Sequence, residues 1–154
     1  MIHRKVISRL DTKFLALALI AFSIVIFSSA QNAHAVTFTA IQSGDWNDPA
    51  TWGGTVPSAG DDKIIPTGVT VTISTEVTNS ATIANSGTIT ISNSGGIGIR
   101  NSGTITNSGT ITISNSDGFG IRNFDTITNS GTITISNSGG DGISNVGTIA
   151  NSGT

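Results

Sequence analysis

Reactive side chains are scarce in this 154-residue chain, and the carboxylates come first. Asp45, Asp48, Asp61 and Asp62 lie within one short stretch and could offer oxygen ligands to a Ca²⁺ ion. Turn and cap chemistry explains the same residues more simply, and no calcium-loop ligand spacing is present. Asp117, Asp125 and Asp141 could supply the paired acids that glycoside cleavage needs. Their placement in the sequence pattern is irregular, which fits solvated corner residues. Arg100 and Arg122, 22 residues apart, could grip an anionic glycan, but the next residue at that spacing is Ser144. Gly139, Gly140, Asp141 and Gly142 lack the Gly-Gly-x-Gly-x-Asp order of a calcium-binding nonapeptide. We therefore expect no catalytic residue, no cofactor or cofactor-binding residue and no metal ligand.

The start of the chain removes further chemistry. His3, Arg4, Lys5, Arg9 and Lys13 form a basic opening, Phe14 to Phe27 is an apolar run, and Ala33-His34-Ala35 is a small-x-small cleavage signal. That order predicts a secretory signal peptide over residues 1–35. A retained membrane anchor is the alternative, but the run is shorter than the ~20 residues a spanning helix needs. Both histidines leave with the segment. From Val36 onward there is no His, Cys, Tyr or Met, and eight acids face three bases, Lys63, Arg100 and Arg122, for a formal charge of −5. A weakly acidic surface argues against nucleic acid as a partner. Without cysteine, stability outside the cell cannot rest on disulfides.

What must position these residues is a repeat. Thr88-Ile89-Thr90-Ile91-Ser92-Asn93-Ser94 recurs from Thr110 and again from Thr132, a period of 22. A fixed period of this size predicts stacked coils, none of which buries its apolar face alone. Alternation of threonine with Ile89/Ile91, Ile111/Ile113 and Ile133/Ile135 predicts a half-buried strand. A second strand carries Ile97/Ile99, Phe119/Ile121 and Asp141/Ile143, the second member inward and the first at a corner. Gly98, Gly120 and Gly142 between them predict a bend or a close backbone approach. A third strand carries Ile105, Ile127 and Ile149. Asparagines recur in register at 93/115/137, 101/123/145 and 107/129/151. These we place in turns, where Asn and Gly tolerate left-handed backbone angles, with stacked amides bonding in ladders. Val77 to Gly87 matches Ile99 to Gly109, and residues 68–74 predict the first strand of a degenerate coil.

Upstream, Asp45-Trp46-Asn47-Asp48-Pro49-Ala50-Thr51-Trp52-Gly53-Gly54, then Pro57, Gly60-Asp61-Asp62 and Gly68-Val69-Thr70-Val71, resembles the opening of large secreted, adhesin-like surface proteins. It is also similar to the first part of the extracellular eight-glycine domain. The resemblance covers about residues 43–74 and implies a secreted, surface-associated β-helix without a single defined activity. In its own right the segment predicts an N-terminal cap, with Trp46 and Trp52 covering the solenoid end. The rows Thr88/Thr110/Thr132 and Thr90/Thr112/Thr134 predict a flat hydroxyl array that resembles the water-ordering face of β-solenoid ice-binding proteins. Threonine is also an ordinary residue on a wet strand face.

The expectation is thus an all-β, right-handed parallel β-helix of about 22 residues per coil. Residues 1–35 are a signal peptide, 36–67 an N-terminal β cap, and 68–154 the solenoid, with regular copies at 88–109, 110–131 and 132–153. No C-terminal cap is expected: Asn151-Ser152-Gly153-Thr154 reaches the first residue of a fourth copy, which suggests a piece of a larger protein. The expected role is a secreted or cell-surface structural or adhesion repeat without catalytic activity. Its partners would be surface glycans or other envelope proteins, with no nucleic acid and no stable membrane insertion after cleavage. The alternatives are a carbohydrate-active β-helix enzyme and a passive glycan- or ice-binding surface.

Overall fold

The computed structural model describes residues 35–92, 94–114 and 117–154, so the expected signal segment, its last residue apart, lies outside the described residues. The described chain is a β-solenoid of parallel sheets. Its first strands are β1 (Thr37–Thr39), β2 (Gly44–Asp45) and β3 (Asp62–Ile65). Four coils of three strands follow: β4 (Thr70–Ile73), β5 (Val77–Asn79) and β6 (Thr82–Asn85); then β7 (Thr88–Ser92), β8 (Ile99–Asn101) and β9 (Thr104–Asn107). The third coil is β10 (Thr110–Ser114), β11 (Ile121–Asn123) and β12 (Thr126–Asn129), the fourth β13 (Thr132–Ser136), β14 (Ile143–Asn145) and β15 (Thr148–Asn151). Each strand pairs with its equivalent one coil away, which makes three sheets: β2-β4-β7-β10-β13, β5-β8-β11-β14 and β1-β3-β6-β9-β12-β15.

Register follows the repeat. Thr110 pairs with Thr88 and Thr132, Ile121 with Ile99 and Ile143, and Ile127 with Ile105 and Ile149. The alternating pattern works as physics requires: a side-chain period of two sends each threonine out and each isoleucine in. Ile89, Ile91, Ile99 and Ile105 are completely buried, and so are Ile111, Ile113, Ile121 and Ile127 one coil on. The corner members Ile97 and Phe119 are half-buried and Asp141 is exposed, as expected. The degenerate coil is confirmed, with a shortened corner. Thr70 lies opposite Thr88 but Val77 lies opposite Ile99, so the link between Ile73 and Val77 is four residues shorter than its equivalents.

Residues before Thr70 join the same sheets, since β1 and β3 extend the third and β2 extends the first. A short 3₁₀ helix, Pro49–Trp52, is capped by the Asp48 carboxylate on the Ala50 N–H and closed by Gly53 at φ 79°. It drives Trp52 edge-on against Trp46 (ring centroids 5.1 Å apart), and the Trp52 indole N–H donates to the Trp46 carbonyl at 2.7 Å. Both rings are buried at the N-terminal end of the isoleucine core. The last coil is different: Ile135 is 44% and Ile149 39% exposed, and with Ile133 and Ile143 they line a hollow of about 210 Å³. One column therefore supplies its own control. Ile113→Ala should cost about 3 kcal/mol, while Ile135→Ala, one coil further along and already wet, should cost well under about 1 kcal/mol. Urea unfolding of the two variants checks this.

Gly98, Gly120 and Gly142 sit at the expected close approaches. A Cβ on Gly98 would run into Ile91 and lie 2.7 Å from the Gly120 carbonyl oxygen. The left-handed angles expected at the repeat's turns are mostly absent. Among the described residues only Gly53, Gly54, Gly68 and Asn137 (φ 50°) have positive φ. At Gly87, Gly103, Gly109 and Gly131 the coils stack too closely for a Cβ, whereas among the described residues Gly95 and Gly96 meet no such contact.

Candidate functional site

The carboxylates suggested for calcium are not gathered. Asp45 accepts from the Asn47 N–H (2.8 Å) and the Ser74 hydroxyl (3.0 Å), and Asp48 caps the 3₁₀ helix. Asp61 accepts from the Ser58 N–H and hydroxyl (2.8 and 2.6 Å) and from Val36, bonds that hold its pKa below the ordinary carboxylate value. Asp62 accepts from the Thr82 N–H at 3.0 Å. Each acid serves its own turn or strand end, which is the turn chemistry the sequence also allowed. Among the described residues no group of three or more His, Cys, Asp or Glu stands close enough to hold a metal ion. Asp117, Asp125 and Asp141 are exposed corner residues.

The arginines are brought together. Arg100 and Arg122 pair in register on the outer face of the second sheet, between Thr78 and Ser144. Arg100 donates to Glu76 at 2.8 Å. Arg122 lies over two phenylalanine rings, 5.0 Å from Phe124 and 5.8 Å from Phe119, and Arg100 is 6.0 Å from Phe124. The sequence reading singled out the arginines and missed their aromatic partners, although Phe124 stands only two residues beyond Arg122.

The threonine rows also form. Thr70, Thr88, Thr110 and Thr132 make one in-register column on the first sheet, and Thr72, Thr90, Thr112 and Thr134 a second. Spacing is about 4.8 Å between coils and about 6.7 Å along a strand.

Asparagine departs most from expectation. Asn79, Asn85, Asn101, Asn107, Asn123 and Asn129 are buried inside the coil, as the inward last residues of strands. Their side chains form two ladders. Asn79 Nδ2 donates to Asn101 Oδ1, Asn101 to Asn123 and Asn123 to Asn145, at 2.7–2.8 Å. Asn85, Asn107, Asn129 and Asn151 repeat the arrangement at 2.7 Å per step. The same amides also donate to nearby backbone carbonyls, such as Gly103 from Asn101. Burying an amide is costly unless it is so satisfied, and the exception is the Asn85 Oδ1 that heads the second ladder, which has no partner among the described residues. Of the third expected row, Asn93 and Asn115 lie outside the described residues, and Asn137 is exposed.

The first ladder begins on a cation. Lys63 occupies a core position opposite Phe38 and Ile83 and is 1% exposed. Its Nζ donates to the Ala59 carbonyl (2.9 Å) and to Asn79 Oδ1 (3.1 Å). All amides in the column point Oδ1 toward the N-terminal end, so the ammonium meets the negative end of an aligned row of dipoles. Burial pushes the Lys63 pKa down from 10.5 to about 8, against the pull of Asp61 and Asp62. A folded-state pKa below the unfolded one means the unfolded chain holds its proton longer, so stability must rise between pH 8 and 10.5. The rise should be on the order of 1–3 kcal/mol. From Val36 onward no other lysine and no Tyr or Cys titrates in that window. Urea midpoints at several alkaline pH values should climb in the parent chain and stay flat in Lys63→Met.

Comparison with family models, with curated proteins and with solved structures returned no match.

Proposed function

We propose that this chain is a secreted or cell-surface structural or adhesion module, without catalytic activity, that works by presenting flat, regular faces. The observation that carries the reading is the in-register stacking of whole coils. Inward positions are committed to isoleucine and amide ladders, and the outward threonine face repeats unchanged in all three regular copies. Such a body is rigid along its axis and broad on its sides, which suits display and contact. The N-terminal resemblance to adhesin-like surface proteins and the signal-like first 35 residues point the same way. Deletion in the source cell should alter surface attachment or envelope texture; unchanged attachment and envelope would refute the proposal.

A second reading has its own observation, the two four-deep threonine columns. A flat lattice of hydroxyl and methyl groups at fixed spacing can order water. Thermal hysteresis of the purified protein decides this: a value equal to buffer removes it.

A further inference from the structure

The three regular copies do not vary evenly. Copies 88–109 and 110–131 differ at four positions only: Gly95/Asp117, Ile97/Phe119, Ser102/Phe124 and Gly103/Asp125. All four fall on the second sheet's flanking corners, beside Arg100 and Arg122. The third copy returns to glycine at Gly139 and Gly147, changes the other two positions again to Asp141 and Val146, replaces the arginine by Ser144 and, away from this face, a third-sheet threonine by Ala150. Stacking imposes sameness on the inward isoleucines and asparagines. It imposes none on the outward side chains, yet the threonine face stays uniform while the arginine face is individual.

The most individual coil builds the aromatic cluster. Arg122 rests over Phe124 and Phe119, and among the described residues no carboxylate lies within ion-pair distance of it, whereas Arg100 is taken by Glu76. Contact with the rings holds the guanidinium in place without using its N–H donors, which can serve a planar anion. The Phe124 ring is 38% exposed next to it and offers an apolar face. A carboxylate joined to a ring with an apolar C–H face satisfies both groups at once. From Val36 onward the formal charge is −5, Lys63 is buried and Arg100 is paired, so Arg122 is where a polyanion would find an available cation.

We propose that Arg122, Phe119 and Phe124 form a binding site for a carboxylate-bearing polysaccharide, a uronic-acid chain lying along the second sheet. The proposal rests on the surface-module reading and names its ligand class. Affinity electrophoresis of the secreted chain in gels containing polygalacturonate, neutral dextran or polyphosphate tests it. Polygalacturonate should retard the parent protein and dextran should not. Arg122→Ala should weaken retardation about tenfold, the value of one charge-assisted bond, and Phe124→Ala by a similar factor through the lost apolar face and ring–cation contact. Arg122→Lys should recover only part, having lost the planar fork. Circular dichroism must show parent-like β signal in each variant; should Phe124→Ala fail to fold, Arg122→Ala and Arg122→Lys decide. Parent-like retardation of a folded Arg122→Ala, no retardation of the parent, or equal retardation by polyphosphate overturns the site. If the site fails while deletion still alters attachment, the surface-module reading stands without it.

Discussion

Gly109→Ala is expected to destabilise the array by about 3 kcal/mol or more, a large cost for one methyl group on a surface corner. Gly87, Gly109, Gly131 and Gly153 form a column where the third sheet turns into the first. A Cβ on Gly109 would collide with the Gly87 carbonyl oxygen and lie 2.7 Å from the Ser86 carbonyl carbon. These are backbone atoms of the neighbouring coil, so no side chain can swing aside. Relief requires the coils to separate, which stretches the bonds from the Gly109 N–H to Asn85 (3.1 Å) and from the Thr110 N–H to Gly87 (2.9 Å). The backbone angle itself is ordinary, so the cost is steric and specific to stacking. Gly95→Ala is the matched control: among the described residues nothing lies within 4 Å of its Cβ position, and the change should stay within about 0.5 kcal/mol. Both tryptophans sit in the N-terminal segment, so their fluorescence reports that end while far-ultraviolet dichroism reports the whole. In Gly109→Ala the dichroism should melt ahead of the fluorescence. Coincident melting at the parent temperature would show that the corner has room.

The fold was legible because its signals are collective. One Thr-Ile pair says little, but three copies at one spacing specify strand, face and stacking partner together. The four buried isoleucines per coil, the degenerate coil at Thr70 and the corner position of Asp141 all followed from that comparison. So did the asparagine ladders, but their place inside the coil did not. An isolated asparagine belongs to a turn, because its amide is costly to bury. It becomes a core residue only when an identical amide lies one coil above and another below. A local clue existed: Asn101 stands two residues from Ile99, and Asn107 two from Ile105, so each shares its strand's inward face. Lys63 carries the same clue relative to Ile65, and its charge masked it. The calcium cluster failed for the opposite reason. Nearness in sequence suggested convergence, but each carboxylate is spent on partners of its own: Asp45 on Asn47 and Ser74, Asp48 on Ala50, Asp61 on Ser58 and Val36, and Asp62 on Thr82. Cation and aromatic contacts at Arg122 needed the chain to turn a corner on either side of β11, which the repeat period alone does not describe.

Breaking one ladder rung should cost at least as much as removing a core isoleucine. Asn101 accepts from Asn79, donates to Asn123 and to the Gly103 carbonyl, and is completely buried. Asn101→Ala orphans the Asn123 acceptor, takes from Asn79 one of its acceptors while leaving it the Ala81 carbonyl, and opens a void in the core. At roughly 1–3 kcal/mol for each stranded polar group, we expect a loss of about 3–5 kcal/mol. Asn145, the exposed last rung of this column, should lose only about 1 kcal/mol on the same change. The decisive comparison is the double variant Asn101→Ala with Asn123→Ala. Each single change strands groups on the other residue, and the pair together removes those groups. The double should therefore be milder than the sum of the singles by about 1–3 kcal/mol. Urea unfolding of the four proteins gives the coupling directly. Strict additivity would mean that the amides act separately, each held by its own backbone carbonyl. Sub-additivity of the expected size would mean that the polar columns, as much as the isoleucines, bind coil to coil.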